Sequence, residues 1–177
     1  MNLLTLLACA LPAPEWQTGD DLSALSVDLV YADEGVHPAT TVLDSPHNPF
    51  DARVLAVKWE ILATDCAQGF YAFATALAVQ PTGEHQLYTA QCMADLVNGA
   101  RLSPEDDALG WHIAIDGYQA VLDHFSDDLT YDATGTYAWP VAPLAYEGIL
   151  DLGGEPLGWV AVEGEDGELH LVKEGGS

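Results

Sequence analysis

The segment Arg53 to Ala63, RVLAVKWEILA, constrains the fold more than any other stretch of the chain. Leu55, Val57, Trp59 and Ile61 recur at every second position, with Lys58 and Glu60 between them. A strand turns successive side chains to opposite faces, so this spacing predicts a half-buried strand with a polar outer face. Phe70 to Val79 alternates as well: Tyr71, Phe73, Leu77 and Val79 form one row, and Ala72, Ala74, Ala76 and Ala78 the other. In Leu22 to Tyr31, Val27, Leu29 and Tyr31 share a side.

Turn chemistry separates these runs. Pro81-Thr82-Gly83-Glu84 follows the alanine row, and Asp116-Gly117 divides WHIAI from YQAVL. Ala133-Thr134-Gly135 splits Thr130-Tyr131 from Thr136 to Trp139. Glu163 to Gly167 splits Gly158 to Val162 from Glu168 to Val172. Many short strands joined by tight turns predict a mainly β fold, an antiparallel β-sandwich or barrel. The alternative is α+β, with one or more helices in 65–97, 111–127 or 143–152. Asp65-Cys66-Ala67-Gln68 fits a capping box before an alanine-rich run, and Trp111, Ile115, Tyr118, Leu122 and Phe125 fit a helical stripe.

Charge narrows the partners. The 177 residues carry 28 Asp and Glu against 4 Lys and Arg, a formal charge of -24. Arg53, Lys58, Arg101 and Lys173 cannot replace the counterions of a phosphate backbone, which excludes nucleic acid binding. Electrostatic attachment to anionic lipid is disfavoured for the same reason. A cationic or protein partner fits the field. The hydrophobic fraction of 49% supports a packed core, and the length supports one domain. No apolar run reaches the roughly 18 residues of a membrane-spanning helix.

The chain starts MNLLTLLACALPAPEW. Leu6-Leu7-Ala8-Cys9 resembles the lipobox of bacterial lipoproteins: a leucine three residues before the cysteine, a small residue just before it, and an apolar stretch, Leu3 to Leu7, upstream. The resemblance implies removal of residues 1–8 as a signal peptide and lipidation of Cys9. Membrane contact would be through that anchor only, in the cell envelope, facing periplasm or exterior. Ala8-Cys9-Ala10 also fits a secretory cleavage site, which would give a secreted soluble protein. Residues 9–21 then form a tether stiffened by Pro12 and Pro14, and 22–177 form a single globular domain. With Cys9 lipidated, Cys66 and Cys92 are left as an even pair, which an oxidising compartment would join as a disulfide. Two buried thiols are the alternative.

The chain has no G-x-S-x-G, H-E-x-x-H, P-loop or dinucleotide fingerprint, which weighs against an enzyme without excluding one. His37, Asp44, His47 and Asp51 crowd the segment HPATTVLDSPHNPFD, a candidate site for a divalent metal; a turn-rich surface loop is the alternative. No other cofactor is expected. His112, Asp116 and His124 form a second polar group. Glu105-Asp106-Asp107, Asp127-Asp128 with Asp132, and Glu163-Glu165-Asp166 lack the spacing of a calcium loop and read as solvated turns. Trp59 and Trp111 are assigned to the core, Trp16 and Trp139 to the surface. The expected function is a surface- or periplasm-exposed acidic lipoprotein with a binding or structural role. The alternatives are a small-ligand-carrying β-barrel, with room beside the alanine row, and a metal-dependent hydrolase or metal chaperone.

Overall fold

Helices, not strands, carry the alternating segments 53–63 and 70–79. The structure is a computed structural model, and it describes Leu43, His47, Asn48 and residues 51–64, 66–164 and 169–175. In chain order the elements are α1 (Ala52–Thr64), α2 (Cys66–Val79), α3 (Gly83–Asn98), α4 (Pro104–His124), β1 (Leu129–Tyr131), β2 (Ala138–Pro140), α5 (Val141–Asp151), β3 (Trp159–Glu163) and β4 (Leu169–Lys173). The two sheets are isolated antiparallel pairs, β1 with β2 and β3 with β4. The expected β-sandwich or barrel is therefore overturned: the described residues are mainly helical.

The reason is visible in α1. Its buried positions are Val54, Leu55, Lys58 and Ile61, an i, i+1, i+4, i+7 pattern that belongs to a helix. Lys58 occupies the core position that breaks the pattern when lysine is read as a solvent residue. Trp59, assigned to the core, is 38% exposed instead. The α2 helix is concealed differently. Cys66, Ala67, Gly69, Phe70, Ala72, Phe73, Ala74, Ala76 and Leu77 are all buried, so it has little polar face to mark a helical period. Asp116-Gly117 is not a turn but lies within α4. A Cβ on Gly117 would stand 2.9 Å from the Cβ of Ala90, so this glycine lets α4 lie close against α3.

Caps set the helix ends. Thr82 accepts a hydrogen bond from the His85 N–H at the start of α3, and Ser103 does the same for Asp106 at the start of α4. Pro104 follows in the first turn, and Glu105, Asp106 and Asp107 oppose the helix dipole. That acidic triplet is thus a helix start rather than a loop. Asp128 ties two helix starts together: its carboxylate accepts from Gly83 N at 2.7 Å, and its carbonyl from Val141 N at 3.0 Å. The chain leaves α5 through Gly153, whose φ of +73° suits only glycine well, while Gly154 N returns to Ile149 O.

The core is built around α3. It packs against α2, α4, α5 and β1, while α1 lies on α2 and α5 on α4. Phe70 and Phe73 from α2, Leu87, Met93 and Leu96 from α3, Val121 and Leu122 from α4, and Ile149 from α5 are fully enclosed. Cys66 and Cys92 meet where α2 crosses α3. They approach to 2.9 Å without a disulfide, which corrects the expected cross-link. Packing of the two helices brings them together as core thiols, and Cys66 Sγ donates to Asp95 Oδ2 at 3.2 Å. Cys9, the 9–21 tether, the 22–31 run, Trp16, His37 and Asp44 lie outside the described residues.

Gly69 sits at the same crossing, where a Cβ would lie 2.7 Å from Cys92 Sγ and 2.8 Å from Ile61 Cγ2. Gly69→Val is expected to destabilise the fold by about 1–3 kcal/mol, seen as a lower urea midpoint with an unchanged slope. An unchanged midpoint would show that the crossing is looser than this packing implies.

Candidate functional site

A groove of about 620 Å³ runs along α3 between α1 and α5. The sequence places its lining in three groups. Leu62, Leu87, Ala94, Leu144 and Leu152 give an apolar floor. Trp59, Tyr88, Tyr118 and Trp139 give aromatic walls. Asp95, Glu147 and Asp151 are its carboxylates, with Gln91 and Asn98 beside them. No Lys, Arg or His is among the described residues that line it.

Two walls are fixed by polar anchors. Trp59 Nε1 donates to Tyr131 O at 2.8 Å, so β1 holds the indole of α1. Tyr88 O–H lies 2.6 Å from Thr130 Oγ1, and Thr130 Oγ1 is 3.0 Å from Glu84 Oε1. The Thr130 hydroxyl has one proton and gives it to the carboxylate, so Tyr88 must be the donor to Thr130. Burial pushes the Tyr88 phenol well above its ordinary pKa, and the Glu84 charge pushes the same way. Burial raises Tyr118 as well, with Asp95 adding to it. Both phenols therefore stay protonated across the physiological range.

Beneath the groove lies a buried ion pair. Lys58 Nζ bonds Glu84 Oε2, and the two side chains are only 1% and 4% exposed. Glu84 Oε1 also faces Tyr131 N at 3.4 Å. One carboxylate thus gathers Lys58 from α1, Thr130 and Tyr131 from β1 and, through Thr130, Tyr88 from α3. An ion removed from water costs several kcal/mol unless paired and hydrogen-bonded, and every group in this set has a partner.

His85 lies one residue further along α3 and is 1% exposed. Its Nδ1 contacts Gln80 O at 2.8 Å, and its Nε2 lies 3.1 Å from His47 Nε2. Burial and the Lys58 charge hold its pKa at about 3. His47 is fixed in turn by its backbone N–H, which donates to Gln80 Oε1 at 2.9 Å.

Of the expected metal set, only His47 and Asp51 fall within the described residues, and they have separate partners. Asp51 holds Arg53 through Nε at 3.1 Å and Nη2 at 2.7 Å, which keeps its carboxyl at about 2. Among the described residues no three His, Cys, Asp or Glu side chains converge as a metal site. His112 and Asp116 stand one turn apart on α4, where burial raises the Asp116 carboxyl and His112 opposes the shift. His124 is at the exposed end of the same helix. Trp111, assigned to the core, is half-buried and donates to Leu152 O at 2.8 Å. Trp139 is 43% exposed, on the groove. Sequence reasoning missed Lys58, Glu84, Gln80 and His85. Their only signal was the adjacency of Glu84 and His85 just after the Thr82 cap. Comparison with known proteins finds no matching family model, curated protein or solved structure.

Lys58→Met leaves the Glu84 charge buried and unpaired, and is expected to cost about 3–5 kcal/mol. Adding Glu84→Gln removes that charge while keeping an acceptor for Thr130 and Tyr131. The double variant should regain most of the loss in urea unfolding. A double variant as unstable as the single would place the cost elsewhere.

Proposed function

We propose that this is a non-enzymatic binding domain whose groove takes an organic cation with an apolar body, of the alkyl- or arylammonium class. The observation that carries this reading is the pairing of aromatic walls with carboxylates in one groove that no described cation lines. Aromatic faces attract a cation through their quadrupole, worth about 0.5–2 kcal/mol each when desolvated. Asp95, Glu147 and Asp151 add Coulomb attraction, and the chain's charge of -24 draws cations toward it. The apolar floor accepts the ligand body, and the groove's size suits a small molecule. This reading takes the small-ligand role that the sequence offered as an alternative and moves it from a barrel interior to a helical groove.

Calorimetric titration with benzyltrimethylammonium and with its neutral carbon isostere tests the charge requirement. The cation should bind at least about tenfold tighter. Trp139→Ala and the pair Glu147→Gln with Asp151→Asn should each weaken it severalfold. Equal binding of the isostere, or variants without effect, would overturn the reading.

The envelope location belongs to the same proposal and rests on the lipobox-like sequence around Cys9. Cells fed a labelled fatty acid should label the wild-type protein and not Cys9→Ala. Labelling of both, or of neither, would remove the anchor.

A further inference from the structure

We propose that the groove takes a linear dication, a diamine of the polyamine class whose two ammonium groups sit at opposite ends; this rests on the reading of the groove as a cation site. Helix direction creates the two ends. A Cβ on Gly83 would stand 3.0 Å from Val141 Cγ2, so α3 and α5 begin side by side. Seven residues along α3, Ala90 lies against Gly117 of α4, and seven along α5, Gly148 lies against the next residue of α4, Tyr118. The two helices therefore run in the same direction along the groove. Counted from their starts, Tyr88 and Glu147 line it at nearly one level, and Asp95 and Asp151 line it at another. The helical rise puts the levels of Tyr88 and Asp95 about 10 Å apart.

Each level has the chemistry of an ammonium site. At the first, β1 gathers three aromatic side chains. Tyr88 bonds the Thr130 hydroxyl, Trp139 is the strand partner of Thr130, and Trp59 donates to Tyr131 O. Their faces attract a cation, and Glu147 supplies the counter-charge. Lys58 lies beneath this end, where Glu84 balances it. At the second level Asp95 and Asp151 come from the two parallel helices. Both bear on Tyr118, whose phenol is raised first by burial, then by the Asp95 charge and, more weakly, by Asp151. Leu87 and Ala94 lie between the levels and offer apolar surface to a methylene chain. A single charge could answer the carboxylates of only one end, and no Lys, Arg or His among the described residues lines the groove to answer the other. A diamine of matching length answers both.

The test is calorimetric titration of the full chain at neutral pH, in physiological salt with excess Mg2+ to occupy the rest of the acidic surface. The probes are 1,8-diaminooctane, 1-octylamine, 1,4-diaminobutane and benzyltrimethylammonium. One equivalent of 1,8-diaminooctane should bind, at least about tenfold tighter than octylamine, which lacks the second charge, and than the shorter diamine, which cannot span the two levels. Asp95→Asn keeps an oxygen for the Cys66 thiol, so the fold should hold, with a wild-type urea midpoint as the control. It should weaken 1,8-diaminooctane at least about threefold more than it weakens benzyltrimethylammonium, whose single charge belongs among the aromatic walls. If benzyltrimethylammonium binds but 1,8-diaminooctane binds no tighter than octylamine or the shorter diamine, the two-ended ligand is overturned and the cation groove stands. If neither cation binds, both readings fall. Binding of several equivalents, indifferent to Asp95→Asn and Trp139→Ala, would assign the diamine to the acidic surface at large and overturn the proposal.

Discussion

The contact between Lys58 and Glu84 is the constraint around which the rest of this molecule is arranged. An ammonium group and a carboxylate share an interior that excludes water. Each charge demands a partner, and the demand fixes the relative placement of three elements. It sets α1 against the start of α3, and it draws β1 in through Thr130 and Tyr131. The groove inherits that arrangement. Tyr88 and Trp59 stand where they do because β1 is tied to the same carboxylate and to the same indole.

The placement of the few cations sharpens the electrostatic character of the surface. Lys58 is internal, Arg53 is engaged by Asp51, and Lys173 stands near Asp123 and over the ring of Trp159. The cations thus do little to interrupt the acidic exterior. Asp128 is used differently, as a staple between the starts of α3 and α5. Carboxylates thus serve several ends, among them holding helix starts (Asp128), organising the core (Glu84) and shaping the field at the groove (Glu147 and Asp151).

How much of this could be read from the sequence depends on where polarity and burial part company. The β1–β2 hairpin stands where its turn residues put it, because Gly135 and the Asp132 side chain act locally, and β3 pairs with β4 across the two runs that the sequence set side by side. The windows 65–97, 111–127 and 143–152, set out as the helical alternative, hold most of α2, α3, α4 and α5. The preference for strands failed on three particular residues. Lys58 is polar yet buried, Trp59 is apolar yet exposed, and Gly117 serves helix packing rather than chain reversal. Each depends on a partner distant in sequence: Glu84, the Tyr131 carbonyl and Ala90. Local pattern cannot register such partners. Of the candidate site residues, His47 was legible as polar and loop-borne, but its neighbour His85 lies 38 positions away.

One consequence follows from the burial of α3. Gly83 to Ala90 form an unbroken buried run, and Cys92, Met93, Ala94 and Leu96 extend it. A helix wrapped in this way leaves no inexpensive partial opening. Lifting α2, α4 or α5 strips one side of α3, and the carboxylate at its start loses its protection from water as soon as α1 departs. The described helices should therefore behave as one cooperative unit, with the α3 amides among the last to exchange with solvent and the more exposed β3–β4 hairpin among the first.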